Sequence, residues 1–259
     1  MRILLALFRE IPKWDRPTQI ALGIAFVLLI IDVIILSTQP DLQIPALVGA
    51  IGLLLGIQGI FMWGNRNLVT PFTQAQRHFI AGEFEQVVSV LKQYIEDEAH
   101  PMIDALILLG NAYRTLGQLV ESESVLRIAI ARRHDYHFAL YGLGKTLLAK
   151  GQYQIAFEQL EKSLSNGGSK TIHFDMALAL FLASNLDEAV IECDKLPPVD
   201  EAYRQLFIAY IRYMDNPHDE SIVFNADGLV FWQAEAERFA HTPYGQAIAE
   251  SVIEMQQLL

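Results

Sequence analysis

The chain has 259 residues, which allows one sizeable domain with additions or two small domains. Its net charge of −11 argues against a nucleic-acid partner, because phosphate binding requires clustered lysine and arginine. The single cysteine, Cys193, excludes an intrachain disulfide and a cysteine-based zinc site. Hydrophobic residues make up 52% of the chain, and their excess lies before residue 65. The composition therefore separates an apolar N-terminal part from a more polar remainder.

The first 16 residues predict a short amphipathic helix that lies on a membrane surface. Leu4, Leu7, Phe8, Ile11 and Trp14 recur at helical spacing, and charged residues lie largely between them. A frayed extension of the following apolar helix would produce the same pattern. The sequence leaves both interpretations open.

Two long apolar runs then predict a transmembrane hairpin over residues 17–65. They cover about residues 19–37 and 44–63, and each is close to the roughly 20 residues that cross a bilayer. Both are expected to be helices, because backbone groups in lipid must be hydrogen-bonded within the segment. Basic residues flank the hairpin, whereas its turn TQPDLQ has none. The positive-inside rule therefore predicts a multi-pass protein of the bacterial cytoplasmic (inner) membrane, with both termini and the following domain in the cytoplasm.

The hairpin has two features that predict contacts between membrane helices. Asp32 lies about two turns from the outer end of the first run, where a carboxylate is costly and is expected to meet a partner helix. In the second run, Gly49, Gly52, Gly56 and Gly59 share one helix face, which lets another helix approach closely. That helix belongs either to the first run of the same chain, to a second copy or to another membrane protein.

Beyond the hairpin the sequence repeats with a period of 33 to 35 residues, which is typical of helical solenoids. A small residue recurs midway along each first helix, at Ala75, Gly110, Gly144 and Ala177. The turn before each second helix recurs at Gly82, Gly117, Gly151 and Ser184, and an inner position of the second helices recurs at Leu91, Leu126, Leu160 and Cys193. Small residues let two helices cross closely, and a turn glycine adopts a backbone angle that other residues resist.

The two clearest repeats are IDALILLGNAYRTLGQLVESESVLRIAIARRHDY at 103–136 and HFALYGLGKTLLAKGQYQIAFEQLEKSLSNGGSK at 137–170. This pattern resembles the tetratricopeptide-repeat (TPR) family over about residues 68–200, and it departs from the family at Ser184, where a glycine is usual. The resemblance implies an all-α fold, in which a TPR-type α-solenoid follows the transmembrane hairpin.

The predicted domains follow from this resemblance. Residues 66–200 are expected to form a solenoid of about four repeats. Residues 201–259 lose the pattern and are expected to form a degenerate repeat and C-terminal capping helices, because a solenoid needs a polar cap at its end.

The resemblance also implies a partner-binding surface. In TPR proteins the first helices of successive repeats line a groove that binds a peptide or a helix of a partner protein. The corresponding residues here are Phe72, Gln76, Ile107, Asn111, Arg114, Tyr141, Lys145, Phe174 and Phe181. We expect an apolar or amphipathic segment in this groove, with Arg114 and Lys145 facing an acidic group. The alternative is that the C-terminal helix of the same chain fills the groove.

The sequence shows no catalytic constellation, cofactor site or metal site. Gly144, Lys145 and Thr146 resemble the end of a phosphate-binding loop, but Ala139 replaces the required first glycine and the segment falls inside a repeat helix. Cys193 occupies a packing position with no group nearby to activate it. We therefore expect no enzyme and no cofactor. The predicted function is a membrane-anchored protein–protein interaction scaffold or assembly factor. The alternative is a permanent accessory subunit of a larger membrane complex, held through Asp32 and the glycine face.

Overall fold

The computed structural model describes residues 11–64 and 69–259 of the chain. It divides into two compact units, Met1–Thr70 and Pro71–Leu259. The described residues form helices, turns and loops, and no strand occurs among them. The predicted all-α fold is confirmed.

The first unit is a hairpin of two long helices, α1 (Arg16–Thr38) and α2 (Gln43–Gly64). Short 3-10 turns precede it at Ile11–Lys13 and join its helices at Pro40–Leu42. The helices begin and end within three residues of the predicted spans. Pro17 lies in the first turn of α1. N–H groups in a first turn have no acceptor within the helix, so a proline there costs no hydrogen bond.

Both helices expose their apolar side chains instead of burying them. In the most apolar window of each helix, only 11% and 6% of the residues are buried. The core helix of a soluble protein of this composition would be mostly buried. By length and composition, both helices are long and apolar enough to cross a membrane.

The predicted surface helix over residues 1–16 lies mainly outside the described residues. Its described end contains Trp14, which is only 6% exposed. The Trp14 indole meets the Phe61 ring edge to face, with 5.1 Å between ring centroids, and a Cβ at Gly64 would lie 2.5 Å from it. Trp14 therefore packs against α2.

The second unit begins with four helical pairs in the predicted order. They are α3 (Pro71–Ile80) with α4 (Phe84–Asp97), α5 (Ile103–Thr115) with α6 (Leu119–Arg132), α7 (His137–Ala149) with α8 (Tyr153–Ser165), and α9 (Ile172–Leu182) with α10 (Leu186–Asp194). The chain ends with α11 (Ala202–Asp215), α12 (Leu229–Arg238) and α13 (Pro243–Leu258). Each helix pair packs on the next, and the buried apolar residues form one cluster between the first two pairs and a larger one that runs from the second pair to the C-terminal helices.

The two helices of a pair cross so closely that the crossing positions have no room for a larger residue. A Cβ at Gly110 would lie 2.6 Å from Cγ of Leu126, and one at Gly144 would lie 2.7 Å from Cγ of Leu160. Both leucines are fully buried. The predicted role of the small residues follows directly from these distances.

Each predicted turn position adopts the left-handed backbone conformation. The φ angles are 77° at Gly82, 74° at Gly117, 77° at Gly151 and 63° at Ser184. Ser184 thus carries a side chain in a conformation that costs most residues about 1–2 kcal/mol.

Replacing Ser184 with glycine is expected to stabilise the second unit by about 1 kcal/mol, because it removes this backbone strain. Cys193 provides the measurement, since it is the only cysteine in the sequence and is 3% exposed. Its labelling by a thiol reagent across a urea series reports unfolding of the full-length protein in nanodiscs. Ser184→Ala is the control and retains the strain. Equal urea midpoints for the two variants would contradict the prediction.

Candidate partner-binding surface

The predicted groove residues lie on the first helices of the four pairs, and we call the surface they form the groove face. Their exposure differs from helix to helix. Gln76 on α3 is exposed and Phe72 is half-buried, whereas Ile107 on α5 is 8% exposed and Phe174 on α9 is 2% exposed. The groove face is therefore most exposed on α3, at its N-terminal end, and Ile107 and Phe174 are its buried residues.

The last helix of the chain closes the C-terminal half of this face. Pro243, the first residue of α13, sits on the turn after α7, where a Cβ at Gly151 would lie 2.8 Å from Cβ of Pro243. At the other end of α13, the Tyr210 hydroxyl donates a hydrogen bond of 2.5 Å to Glu254. The helix thus reaches from α7 to α11. This arrangement favours the alternative in which the chain fills part of its own groove.

Tyr244, the second residue of α13, is buried in this region. It is 2% exposed, and its burial, together with the charges of Glu235 and Asp175, raises the pKa of its hydroxyl well above the usual value. The charge of Arg114 opposes this increase. Charges on two helices of the groove face, α5 and α9, thus act on the Tyr244 hydroxyl.

Helix α12 covers Phe174. Trp232 on α12 is 1% exposed, and its ring centroid lies 4.5 Å from that of Phe207 and 6.3 Å from that of Phe174. The indole N–H of Trp232 donates a hydrogen bond of 2.8 Å to the carbonyl of Tyr203. Phe174 was expected to contact a partner, but in the structure it packs against the chain's own C-terminal helices and presents no open surface.

Phe181 belongs to the same aromatic cluster. Its ring is half-buried and meets Phe207 and Tyr210 of α11 at centroid distances of 5.6 and 5.4 Å. The fourth pair therefore uses its groove-face aromatics for contacts with α11 and α12.

Two further groove residues converge on an aspartate that the sequence analysis did not select. Asp175 on α9 is 2% exposed. It accepts hydrogen bonds from the Tyr141 hydroxyl, at 2.9 Å, and from Nζ of Lys145, at 2.5 Å. Its charge and the burial of the phenol raise the pKa of Tyr141. Lys145 was expected to face an acidic group of a partner, and here Asp175 supplies that group.

Arg114 differs from Lys145 because its guanidinium is left without an anion. The side chain is half-buried, and its Nε is buried with no hydrogen-bond partner. No residue within 11–64 or 69–259 forms an ion pair with it. Asn111, one turn earlier on α5, is half-buried, and its Oδ1 lies 3.4 Å from the place that a Cβ at Gly142 would occupy. Arg114 and Asn111 are thus the polar groups that α5 contributes to the groove face.

In the first unit, the predicted contact residues separate into two sets. Gly49 faces α1, since a Cβ there would lie 3.0 Å from Oδ2 of Asp32. That oxygen is buried and has no hydrogen-bond partner within the described part of the chain. By contrast, a Cβ at Gly52, Gly56 or Gly59 would meet no atom within 4 Å. The structure therefore pairs Asp32 with Gly49 of the same chain and leaves the other three glycines open.

Gly56 and Gly59 line an open groove of about 440 Å³ along the hairpin. Its other walls include Thr18 and Ala21 of α1 and Trp63 of α2. The glycines leave this space because they lack side chains.

The residues weighed for catalysis have structural roles. Thr146 lies inside α7, and its hydroxyl donates a hydrogen bond of 2.9 Å to the carbonyl of Gly142. Burial raises the pKa of the Cys193 thiol to about 12, which keeps it protonated and unreactive at neutral pH. Within residues 11–64 and 69–259, no three His, Cys, Asp or Glu side chains are grouped so as to hold a metal ion.

Solved structures with a similar fold support this architecture. MamA from Desulfovibrio magneticus RS-1, from residue 41 to its end, matches with a TM-score of 0.51 and 19% identity, over 72% of this chain and 93% of that one. A thermophilic TPR protein of Thermus thermophilus, TTC0263, matches with a TM-score of 0.51 and 15% identity, over 73% of this chain and 98% of that one. The likeness shows a TPR-type fold. No family model matches the chain, and no curated protein matches it.

Replacing Asp175 with alanine is expected to destabilise the second unit by about 2–4 kcal/mol, because it leaves the Lys145 ammonium and the Tyr141 hydroxyl without their acceptor. Urea titration with Cys193 labelling measures the loss. Asp187→Ala is the control, since Asp187 is an exposed residue of α10. A midpoint for Asp175→Ala that equals the control would contradict the role assigned to Asp175.

Proposed function

We propose that the chain is a membrane-anchored scaffold or assembly factor that docks a partner protein on the N-terminal half of its groove face. The observation that carries the proposal is the contrast between the two halves of that face. The C-terminal half is covered by α12 and α13, whereas in the N-terminal half, on α3 and α5, Gln76 is exposed and Phe72, Asn111 and Arg114 are half-buried.

The open half has the composition of a recognition surface. Phe72 and Phe79 offer half-buried aromatic rings, and Gln76, Asn111 and Arg114 supply polar groups beside them. Aromatic side chains and arginine are enriched in protein interfaces because they combine apolar area with directional hydrogen bonds. A TPR-type solenoid that presents such a surface is suited to binding a segment of another protein.

The hairpin α1–α2 provides the proposed anchor. Its exposed apolar side chains need a surrounding that is not water, and a lipid bilayer meets this need. The basic residues at its flanks, with none in its turn, favour a cytoplasmic position for both termini and for the solenoid. The proposed location is therefore the bacterial cytoplasmic membrane, with docking at its inner face.

A second function, as a permanent subunit of a larger membrane complex, is favoured by the open glycines of α2. Gly52, Gly56 and Gly59 are not used for packing against α1, so another membrane helix could approach them closely. The two functions differ in what the hairpin does. A scaffold needs only its anchoring, whereas a permanent subunit needs its glycine face.

Photocrosslinking in intact membranes tests the docking proposal. A photoreactive residue placed at Gln76, on the open half, is expected to crosslink to another protein. The same residue at Glu254, whose carboxylate lies beside Tyr210, is expected to give links within the chain. Mass spectrometry of the linked peptides distinguishes the two.

Links from Gln76 that stay within the chain would contradict docking on the open half. A photoreactive residue at Gly56 separates the two functions, since a permanent subunit should give a single neighbour at a fixed ratio from this position. Capture at Gly56 but not at Gln76 would favour the permanent subunit.

A further inference from the structure

We propose that the open half of the groove face recognises an acidic side chain of its partner, and that Arg114 is the residue that selects it. This inference rests on the proposed docking function and goes beyond it, because it specifies the chemistry of the docked segment. The occupant is a protein segment with apolar residues and one Asp or Glu side chain.

The first argument is that Arg114 has no hydrogen-bond acceptor, whereas neighbouring lysines of the solenoid have one. Lys145, one repeat later on the groove face, is paired with Asp175, and Lys150 is paired with Glu123 at 2.6 Å. By contrast, Nε of Arg114 is removed from solvent and has no hydrogen-bond partner. A buried N–H without an acceptor is costly, and a charged donor more so. A carboxylate from outside would remove this cost.

The second argument is that Arg114 lies on α5, the helix next to the covered part of the groove face, and Asn111 on the same helix approaches Gly142 of α7. The charge of Arg114 acts on the hydroxyls of both Tyr141 and Tyr244, opposing the increases in pKa that Asp175 and burial cause. Asp175 itself is already bonded to Tyr141 and Lys145. No carboxylate of the second unit forms an ion pair with Arg114, so its charge is available to a partner.

The third argument concerns the kind of carboxylate. Arg114 is half-buried, and its Nε edge lies below the surface, so an acceptor must reach inward. A Glu or Asp side chain can extend inward while the partner's main chain stays at the surface, where Phe72 and Phe79 pack against the same apolar cluster as residues of α5. The C-terminal carboxylate of a partner, by contrast, could reach Arg114 only if the partner's backbone also entered this space. We therefore assign the site to a side-chain carboxylate.

The fourth argument is charge. The chain carries −11 overall, so a partner that is acidic throughout would be repelled. A segment with one acidic side chain in an apolar context avoids this repulsion and still pairs with Arg114. The site therefore selects a position in a segment, not a generally acidic surface.

Peptide selection against the full-length protein in lipid nanodiscs tests the inference. The probe is a library of random peptides, each fused through its C-terminus to a carrier protein. Without a free C-terminus, only the peptide side chains supply carboxylates. Peptides selected on the wild-type chain are expected to share an Asp or Glu at one position. Their affinity should fall at least about tenfold for Arg114→Gln, since a hydrogen bond to a charged group is lost.

The matched control is Arg127→Gln on the second helix of the same pair, where the arginine is exposed and paired with Glu123. It should leave the affinity unchanged. A second comparison replaces the acidic residue of a selected peptide with Gln or Asn. The affinity of this neutral peptide for the wild type should equal the affinity of the acidic parent peptide for Arg114→Gln. Cys193 labelling confirms that each variant is folded.

Four results would overturn the inference or its basis. Selected peptides without a shared acidic position, or with equal affinity for Arg114→Gln, would overturn the assignment of Arg114 and leave docking intact. Binding that occurs only in a second library with free C-termini would overturn the side-chain source. If Phe72→Glu leaves all selected peptides bound, they do not use the open half, and the proposed docking surface is itself contradicted.

Discussion

The close crossing of the two helices in each pair is the constraint on which the second unit depends. At Gly110 and Gly144 a single additional carbon would lie within 2.6 to 2.7 Å of a buried leucine side chain. This distance fixes how deeply the first helix sits against the second, and therefore which of its residues point away from the core. The groove face lies on these first helices, so its geometry depends on the close crossing at the glycines. The turn residues with positive φ let the chain reverse at the end of each first helix.

The chain's own C-terminal helices cover half of the groove face. Helices α12 and α13 bring Trp232, Tyr244 and Pro243 onto the later pairs, and the polar groups there are satisfied internally, with Asp175 binding Tyr141 and Lys145. A buried carboxylate with two donors is stable only when both donors are present. In the closed half these polar groups are therefore hydrogen-bonded within the chain. Nε of Arg114, at the edge of that half, has no acceptor.

Much of this fold could be predicted from the sequence because its signals are local and periodic. The turn positions, including Ser184, follow the repeat spacing, and all four have positive φ. The apolar runs of the hairpin are recognisable by length alone. These features depend on residues that lie within one repeat or one helix of each other.

The groove was harder to predict because its state depends on residues far apart in the sequence. Phe174 occupies the expected position, but Trp232, 58 residues later, covers it. Asp175 had a signal that could have been used, since it is the only acidic residue of the otherwise largely apolar α9 and a lone carboxylate in such a helix needs a donor. In the hairpin, the spacing of four glycines did not show that Gly49 alone faces Asp32.

Hydrogen–deuterium exchange of the full-length protein in nanodiscs tests the central claim, that the C-terminal helices permanently occupy half of the groove face. The account predicts that the amides of α12 and α13 exchange as slowly as those of α7 and α9, because all four helices belong to one core. Rapid exchange of α12 and α13, with slow exchange of α7 and α9, would contradict it. In that case the later pairs would also be open to a partner.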